Sequence, residues 1–150
     1  LSSTVKHNIT LAALKKYCHG PFLQTKKENQ IAAQQIQQFA IKTPSGNQLV
    51  NFLSGGNQQK IVLAKVLLND PDIIILDEPT RGIDIGAKTE IYRLINALAA
   101  QGKAIIMISS ELPEILGMSD RILVVHNGMI KAELTGAEAT QEKIMEYAMM

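Results

Sequence analysis

Two short runs one helix-length apart, LSGGNQQK at 53–60 and IIILDEPT at 73–80, constrain this chain more than any other part of it. Ser54-Gly55-Gly56 stands directly before a stretch with helical spacing, from about 57 to 68, which Asp70-Pro71 stops. Residues 73–76 form a short continuous apolar run of the kind found in strands buried on both faces of a parallel sheet. A second helical stretch follows at 87–100, with Ile91, Leu94, Ile95 and Leu98 as a core-facing stripe and Gly102 just past its end. Residues 104–108 are another buried-strand run. Strand, helix and strand in that order make a parallel crossover, expected to be right-handed, so the core reads as α/β.

The flanks are simpler. Residues 8–17 and 26–40 have helical patterns, the second placing Ile31, Ala32, Gln35, Ile36 and Phe39 on one face. Thr43, Pro44, Ser45, Gly46 and Asn47 form a breaker cluster that reads as the loop leading into Ser54. Near the C-terminus, 121–126 and 129–134 flank Asn127-Gly128, a strong hairpin signal because both residues tolerate positive φ. A last helix follows, with Thr135 and Glu138, or alternatively Thr140, available as caps.

Composition narrows the partners. Of 150 residues, 46% are hydrophobic and 19% charged, as in an ordinary globular chain with a real core. Lys plus Arg number 15 against 14 for Asp plus Glu, so no basic field draws nucleic acid or an anionic bilayer. Cys18 is the only cysteine, which excludes an internal disulfide and suits a reducing cytoplasm. No apolar run approaches the roughly 20 residues that span a bilayer, so any membrane link is expected through a partner. The chain opens at Leu1 without a signal-peptide pattern and reads as a piece of something longer.

Ser54, Gly55 and Gly56 precede a helix, so backbone N–H groups there can face an anion, and the glycines remove Cβ atoms that would block close approach. The same residues also fit a serine N-cap with a glycine turn. Asp77 ends a buried strand, where α/β sheets gather ligands and a carboxylate can hold Mg²⁺, and the adjacent Glu78 can orient and polarise a water for phosphoryl transfer. The plain alternative is a pair of solvated acids opening a loop before Pro79. His7, His19 and His126 are scattered without metal-ligand spacing. No G-x-x-x-x-G-K-[ST] phosphate loop occurs anywhere.

The order and spacing of these runs resemble the ABC-type ATPases, and NQQK in place of the more usual QQQR-like run, DEPTRGID before IGAK, and SSELPEILGMSDRI resemble the second ATPase module of tandem sugar-importer subunits of the ribose, galactose, arabinose or xylose type. The resemblance covers nearly the whole chain. It implies an incomplete P-loop NTPase (RecA-like) parallel sheet with flanking helices, an N-terminal helical subdomain segment over 1–68 including the signature, and the C-terminal part of the ATPase core over 69–150, with hairpin and helix. It also implies nucleotide binding by the signature residues Ser54, Gly55, Gly56, Asn57 and Gln58, with the serine and its helix capping the γ-phosphate of ATP gripped by the Walker A loop of an opposing module. Asp77 would hold Mg²⁺ and Glu78 would be the catalytic base, both serving the module's own site. Asp84 would be the D-loop residue that couples the two sites; it equally suits an N-cap, and both roles are compatible. Ser110 stands where most of the family carry a histidine that contacts the γ-phosphate, which predicts slow or absent hydrolysis at the Glu78 site; read alone, Ser110 is an N-cap for a helix starting near Glu111.

The implied function is part of an ATP-hydrolysing subunit, inactive when isolated, that powers monosaccharide import. Its partners would be a first ATPase module in the same or another chain, membrane permease subunits and, indirectly, a periplasmic sugar-binding protein, with no nucleic acid. It would lie peripherally on the cytoplasmic face of the inner membrane. A non-transport ABC module and a silent module retained as signature donor are the alternatives; basic insertions would favour the first, and none is visible. In the family's sheet the strand ending at Ser109 lies beside the strand leading to Walker A, so without that neighbour its outer edge is unpaired and the fragment is less stable than an intact module.

Overall fold

The computed structural model describes residues 2–149. The chain divides into two compact units, Leu1–Ile106 and Met107–Met150. In the first, α1 (Val5–Thr10) begins at Thr4, whose hydroxyl oxygen accepts the His7 N–H at 3.3 Å. The helical pattern over 8–17 does not continue as one helix. The Thr10 hydroxyl turns back to the Lys6 carbonyl at 3.0 Å, and the chain proceeds as a 3₁₀ segment over Leu11–Tyr17 with Ala13 outside helical backbone angles. A threonine bonding to the carbonyl four residues back bends a helix there. The same hydroxyl lies 2.8 Å from Oε1 of the buried Glu28. A two-residue hairpin, β1 (Cys18–His19) against β2 (Phe22–Leu23), turns at Gly20 with φ +59°. Then α2 (Thr25–Gln38) packs on α1, burying Ala32, and Phe39 is buried just beyond its end.

The breaker cluster is a loop, as its composition predicts. Behind it α3 (Gly55–Leu67) buries Ile61, Leu63 and Ala64 and packs against α1. Its stop is physical: Asp70, the residue before Pro71, is disfavoured from the helical region and takes φ +52°. Asp70 meets the Lys103 ammonium at 2.7 Å, which lowers the aspartate pKa and raises that of the lysine.

β3 (Ile73–Asp77), α4 (Ile85–Ala100) and β4 (Ala104–Ile108) supply the strand, helix and strand of the sequence pattern, and β3 pairs with β4. The strands differ from expectation in burial. Ile74 and Leu76 are buried, whereas Ile73 and Ile75 are 62% and 65% exposed, so β3 is covered on one face only, and β4 buries none of its residues, Ile106 and Ile108 being exposed. A continuous apolar run belongs to strands covered on both sides, and here no described element covers the second face.

The second unit holds α5 (Leu112–Met118), β5 (Arg121–His126), β6 (Met129–Thr135) and α6 (Gln141–Met149). β5 and β6 form the predicted hairpin, His126 opposite Met129, with φ +49° at Asn127 and +75° at Gly128 and a bulge between Val124 and Val125. Ile122, Val124 and Ile144 are its core, with α6 against β5. Of the two suggested caps for α6, Thr140 accepts the Lys143 N–H at 3.3 Å, while the Thr135 hydroxyl donates to Glu138 at 2.7 Å within the preceding turn.

One-sided burial makes neighbouring isoleucines unequal. Ile74→Ala should cost about 3 kcal/mol of stability and Ile75→Ala within about 0.5 kcal/mol, as measured by urea denaturation. Equal losses at the two positions would contradict the described face.

Candidate functional site

Ser54 occupies the N-cap of α3 with extended backbone angles, φ −61° and ψ 154°, yet its hydroxyl makes no cap bond to its own helix. That leaves the first N–H groups of α3 without the usual side-chain acceptor. The Asn57 side chain instead donates through Nδ2 to Ser54 Oγ at 2.9 Å, and its Oδ1 accepts the Lys42 backbone N–H at 2.8 Å. Gln58 turns inward, its amide donating to the Leu53 carbonyl at 2.8 Å.

The glycines have unequal tasks. A β-carbon on Gly56 would stand 2.5 Å from that of Ala87, and one on Gly55 would stand 3.2 Å from Ile83 Cγ2. Gly56 is therefore the close-approach point between α3 and the start of α4. One turn further along α3, Lys60, only 3% exposed, reaches Glu90 Oε2 at 2.6 Å and donates to the Ala40 carbonyl at 3.0 Å. The lysine's hydrogen bond and charge hold the Glu90 carboxyl below the ordinary glutamate range. Asp84 caps α4, its Oδ1 accepting the Ala87 N–H at 2.9 Å.

These contacts form an open groove lined by Lys42, Ser54, Gly56, Asn57, Asp84, Gly86, Ala87 and Glu90. Ser54, Gly56, Asn57 and Asp84 thus meet in one place although 30 residues of chain separate the first from the last. Asp77 and Glu78 are not among the lining residues; Asp77 is exposed at the end of β3 and Glu78 half-buried just beyond it. Glu78 precedes Pro79 and has φ +48°, a left-handed conformation that costs a non-glycine residue about 1–3 kcal/mol and that Ala40, Asp70 and Asn127 also adopt. Among the described residues no group of three or more His, Cys, Asp or Glu could hold a metal ion, so a cation at Asp77 needs oxygens from a bound phosphate or from elsewhere.

Ser110 lies in the second unit and is exposed. It is not an N-cap: α5 starts from Glu111 with Pro113 in its first turn, and the side chain that accepts the Glu111 N–H, at 3.0 Å, is that of Ser109. Composition and motif spacing did not point to Lys42 or to the Lys60–Glu90 pair. The available signal was the i, i+4 spacing of Gly56 and Lys60, which puts both on one face of α3.

A family model described as ABC transporter matches residues 2–81. The putative ribose/galactose/methyl galactoside import ATP-binding protein 1 of Rhizobium etli is 57% identical over 148 residues, 99% of this chain and 28% of its own length. The ribose import ATP-binding protein of Clostridium tetani is 52% identical over 149 residues, 99% of this chain and 30% of its own. This chain therefore spans less than a third of the length of either relative. Among solved structures, a dimeric ATP-binding cassette in a post-hydrolysis state with ADP and Pi aligns with TM-score 0.75 and 25% identity over 89% of this chain and 56% of its own. Another ATP-binding cassette of an ABC transporter, at 21% identity and TM-score 0.78 over 97% of this chain and 62% of its own, shares the fold. The α/β arrangement is thus that of an incomplete P-loop NTPase cassette.

Gly56→Ala should lower stability in spite of the roughly 1 kcal/mol that alanine's helix propensity contributes, because overpacking against Ala87 costs about 1–3 kcal/mol; urea midpoints of wild type and variant test this. A pH series tests the ion pair. A lowered carboxyl pKa contributes stability above the ordinary glutamate range and loses it as pH falls through the lowered value. Glu90→Gln should be less stable than wild type at neutral pH, with the gap closing in acid; a gap independent of pH would remove the ion pair from the account.

Proposed function

The chain belongs to the ABC transporter family, and from that premise we propose that it supplies the signature, Walker B and D-loop segments of an ATP-hydrolysing subunit that powers monosaccharide import. The observation that carries this reading is the groove itself: an anion-facing helix end at Ser54 and Gly56, braced beside Asp84, in a chain with no phosphate loop of its own. Such a groove is half a site. The phosphate-gripping Walker A loop belongs to an opposing ATPase module, in the same long protein or in a partner chain. The names of the relatives and the 28–30% of their lengths that this chain spans support a fragment of a tandem importer subunit. The segment 1–68 then belongs to a helical subdomain and 69–150 to the ATPase core.

In this reading Ser54 and the N–H groups of Gly55 and Gly56 cap the terminal phosphate of ATP, with Asn57 and Gln58 shaping the loop around it. Asp77 holds Mg²⁺, which would neutralise charge on the phosphates. Glu78 orients and deprotonates the attacking water at the module's own site. Asp84, while capping α4, links that turn to the facing module. The isolated chain is inactive. The subunit works peripherally at the cytoplasmic face of the inner membrane, against permease subunits that receive sugar from a periplasmic binding protein.

Ser110 favours a second reading, in which this module is a silent signature donor, because a hydroxyl cannot give the cationic contact that a histidine offers a γ-phosphate. Glu78→Gln in the full-length protein separates the two. Removal of a general base lowers turnover by about 10²–10⁴ at the site it serves. A large loss of Mg-ATP hydrolysis supports catalysis through Glu78, and unchanged turnover identifies the silent donor.

A further inference from the structure

Lys42 and Asn57 carry an inference that rests on the functional reading above and deepens it. A backbone N–H can only donate, so the Asn57 atom that meets the Lys42 N–H at 2.8 Å must be the amide oxygen. The amide nitrogen is then forced to face Ser54, where it donates to Oγ at 2.9 Å. A serine hydroxyl has one proton and two lone pairs. With a lone pair engaged by Asn57, the proton cannot point along that bond and must turn elsewhere. Nor does the oxygen serve as the usual helix cap, which would also have set it as an acceptor toward its own helix. Ser54 is exposed and lines the groove.

We propose that Asn57 is a positioning residue which, anchored by the Lys42 backbone, presets Ser54 as a hydrogen-bond donor toward an acceptor-only ligand, the terminal phosphate of ATP. The relay runs in one direction: Lys42 N–H into Asn57 Oδ1, Asn57 Nδ2–H into Ser54 Oγ, Ser54 O–H into a phosphate oxygen. Donors fixed before the ligand arrives need no reorganisation when charge develops, which is where such contacts gain their strength. Lys42 also lines the groove, where its charge helps to lower the Glu90 carboxyl pKa. Asp84 and Glu90 are the acids on the lining; the first is engaged with the Ala87 N–H and the second with Lys60, so both have donors of their own.

Aspartate at position 57 is the sharpest test, because it has the same shape. Its Oδ1 keeps the Lys42 N–H, so the loop stays anchored, but an oxygen now faces Ser54 and draws the hydroxyl proton inward. The experiment measures kcat and KM for Mg-ATP in the full-length protein with Asn57→Asp, Asn57→Ala, Ser54→Ala and the two double variants, together with their melting temperatures. A hydrogen bond to a charged group is worth roughly one to two powers of ten in an equilibrium constant. Ser54→Ala and Asn57→Ala should therefore each weaken kcat/KM about tenfold or more. In the Ser54→Ala background the loss caused by Asn57→Ala should nearly vanish, and that caused by Asn57→Asp should shrink to simple charge repulsion, because the proton they control is gone.

Additive losses in the double variants overturn the relay, since they make Asn57 a brace or a source of charge that acts without Ser54. An Asn57→Asp variant with wild-type kinetics overturns it too. If Asn57→Ala proves unstable, the Asn57→Asp cycle alone decides between these outcomes. A wild-type full-length protein that hydrolyses no Mg-ATP overturns the functional reading and the relay with it.

Discussion

The close approach of α3 to the turn that opens α4 is the contact on which the candidate site depends. Gly56 has no β-carbon, so the two backbones come together where any other residue would meet Ala87. Lys60 and Glu90 hold the same two helices together one turn deeper, with the ammonium buried and the carboxylate partly in water. An ion pair this close to solvent contributes modestly to stability. Its place matters more, because it ties α3 to α4 one turn beyond the Gly56–Ala87 contact, while the same ammonium donates to the Ala40 carbonyl.

The sheet has the opposite character. β3 presents Ile74 and Leu76 to the core and leaves Ile73 and Ile75 bare. Adjacent bare isoleucines on a two-stranded sheet are expensive in water at about 25 cal/mol per Å² of apolar area. A groove complete on one side and a sheet covered on one side are consistent with the same proposal, that this chain is part of a larger ATPase. The phosphate-capping half would be preformed here, and the phosphate-gripping half would come from outside.

Much of this was legible in the sequence because local rules and tertiary structure agree. The strand, helix and strand of the core follow from apolar runs and an amphipathic stripe, and Asn127-Gly128 specifies its hairpin by the conformations those residues tolerate. The failures have particular causes. A helical period over 8–17 could not reveal that the Thr10 hydroxyl would bond back to Lys6 and bend the chain. The burial of both strands was misjudged because an apolar run reports what a strand is suited to: the described residues cover only one face of β3 and bury no residue of β4. Ser110 is not the cap because α5 starts one residue later, from Glu111, whose N–H goes to Ser109, a difference that pattern alone does not resolve. The Lys60–Glu90 pair was hidden because twenty-nine residues lie between its partners and only folding aligns them.

The direct test of an incomplete site is a calorimetric titration of Mg-ATP into the 150-residue chain, its folding verified by far-ultraviolet circular dichroism. A groove that caps a phosphate held by another module should give no saturable binding in isolation. Saturable binding by the folded chain would mean that it holds the nucleotide by itself, and would contradict the central claim.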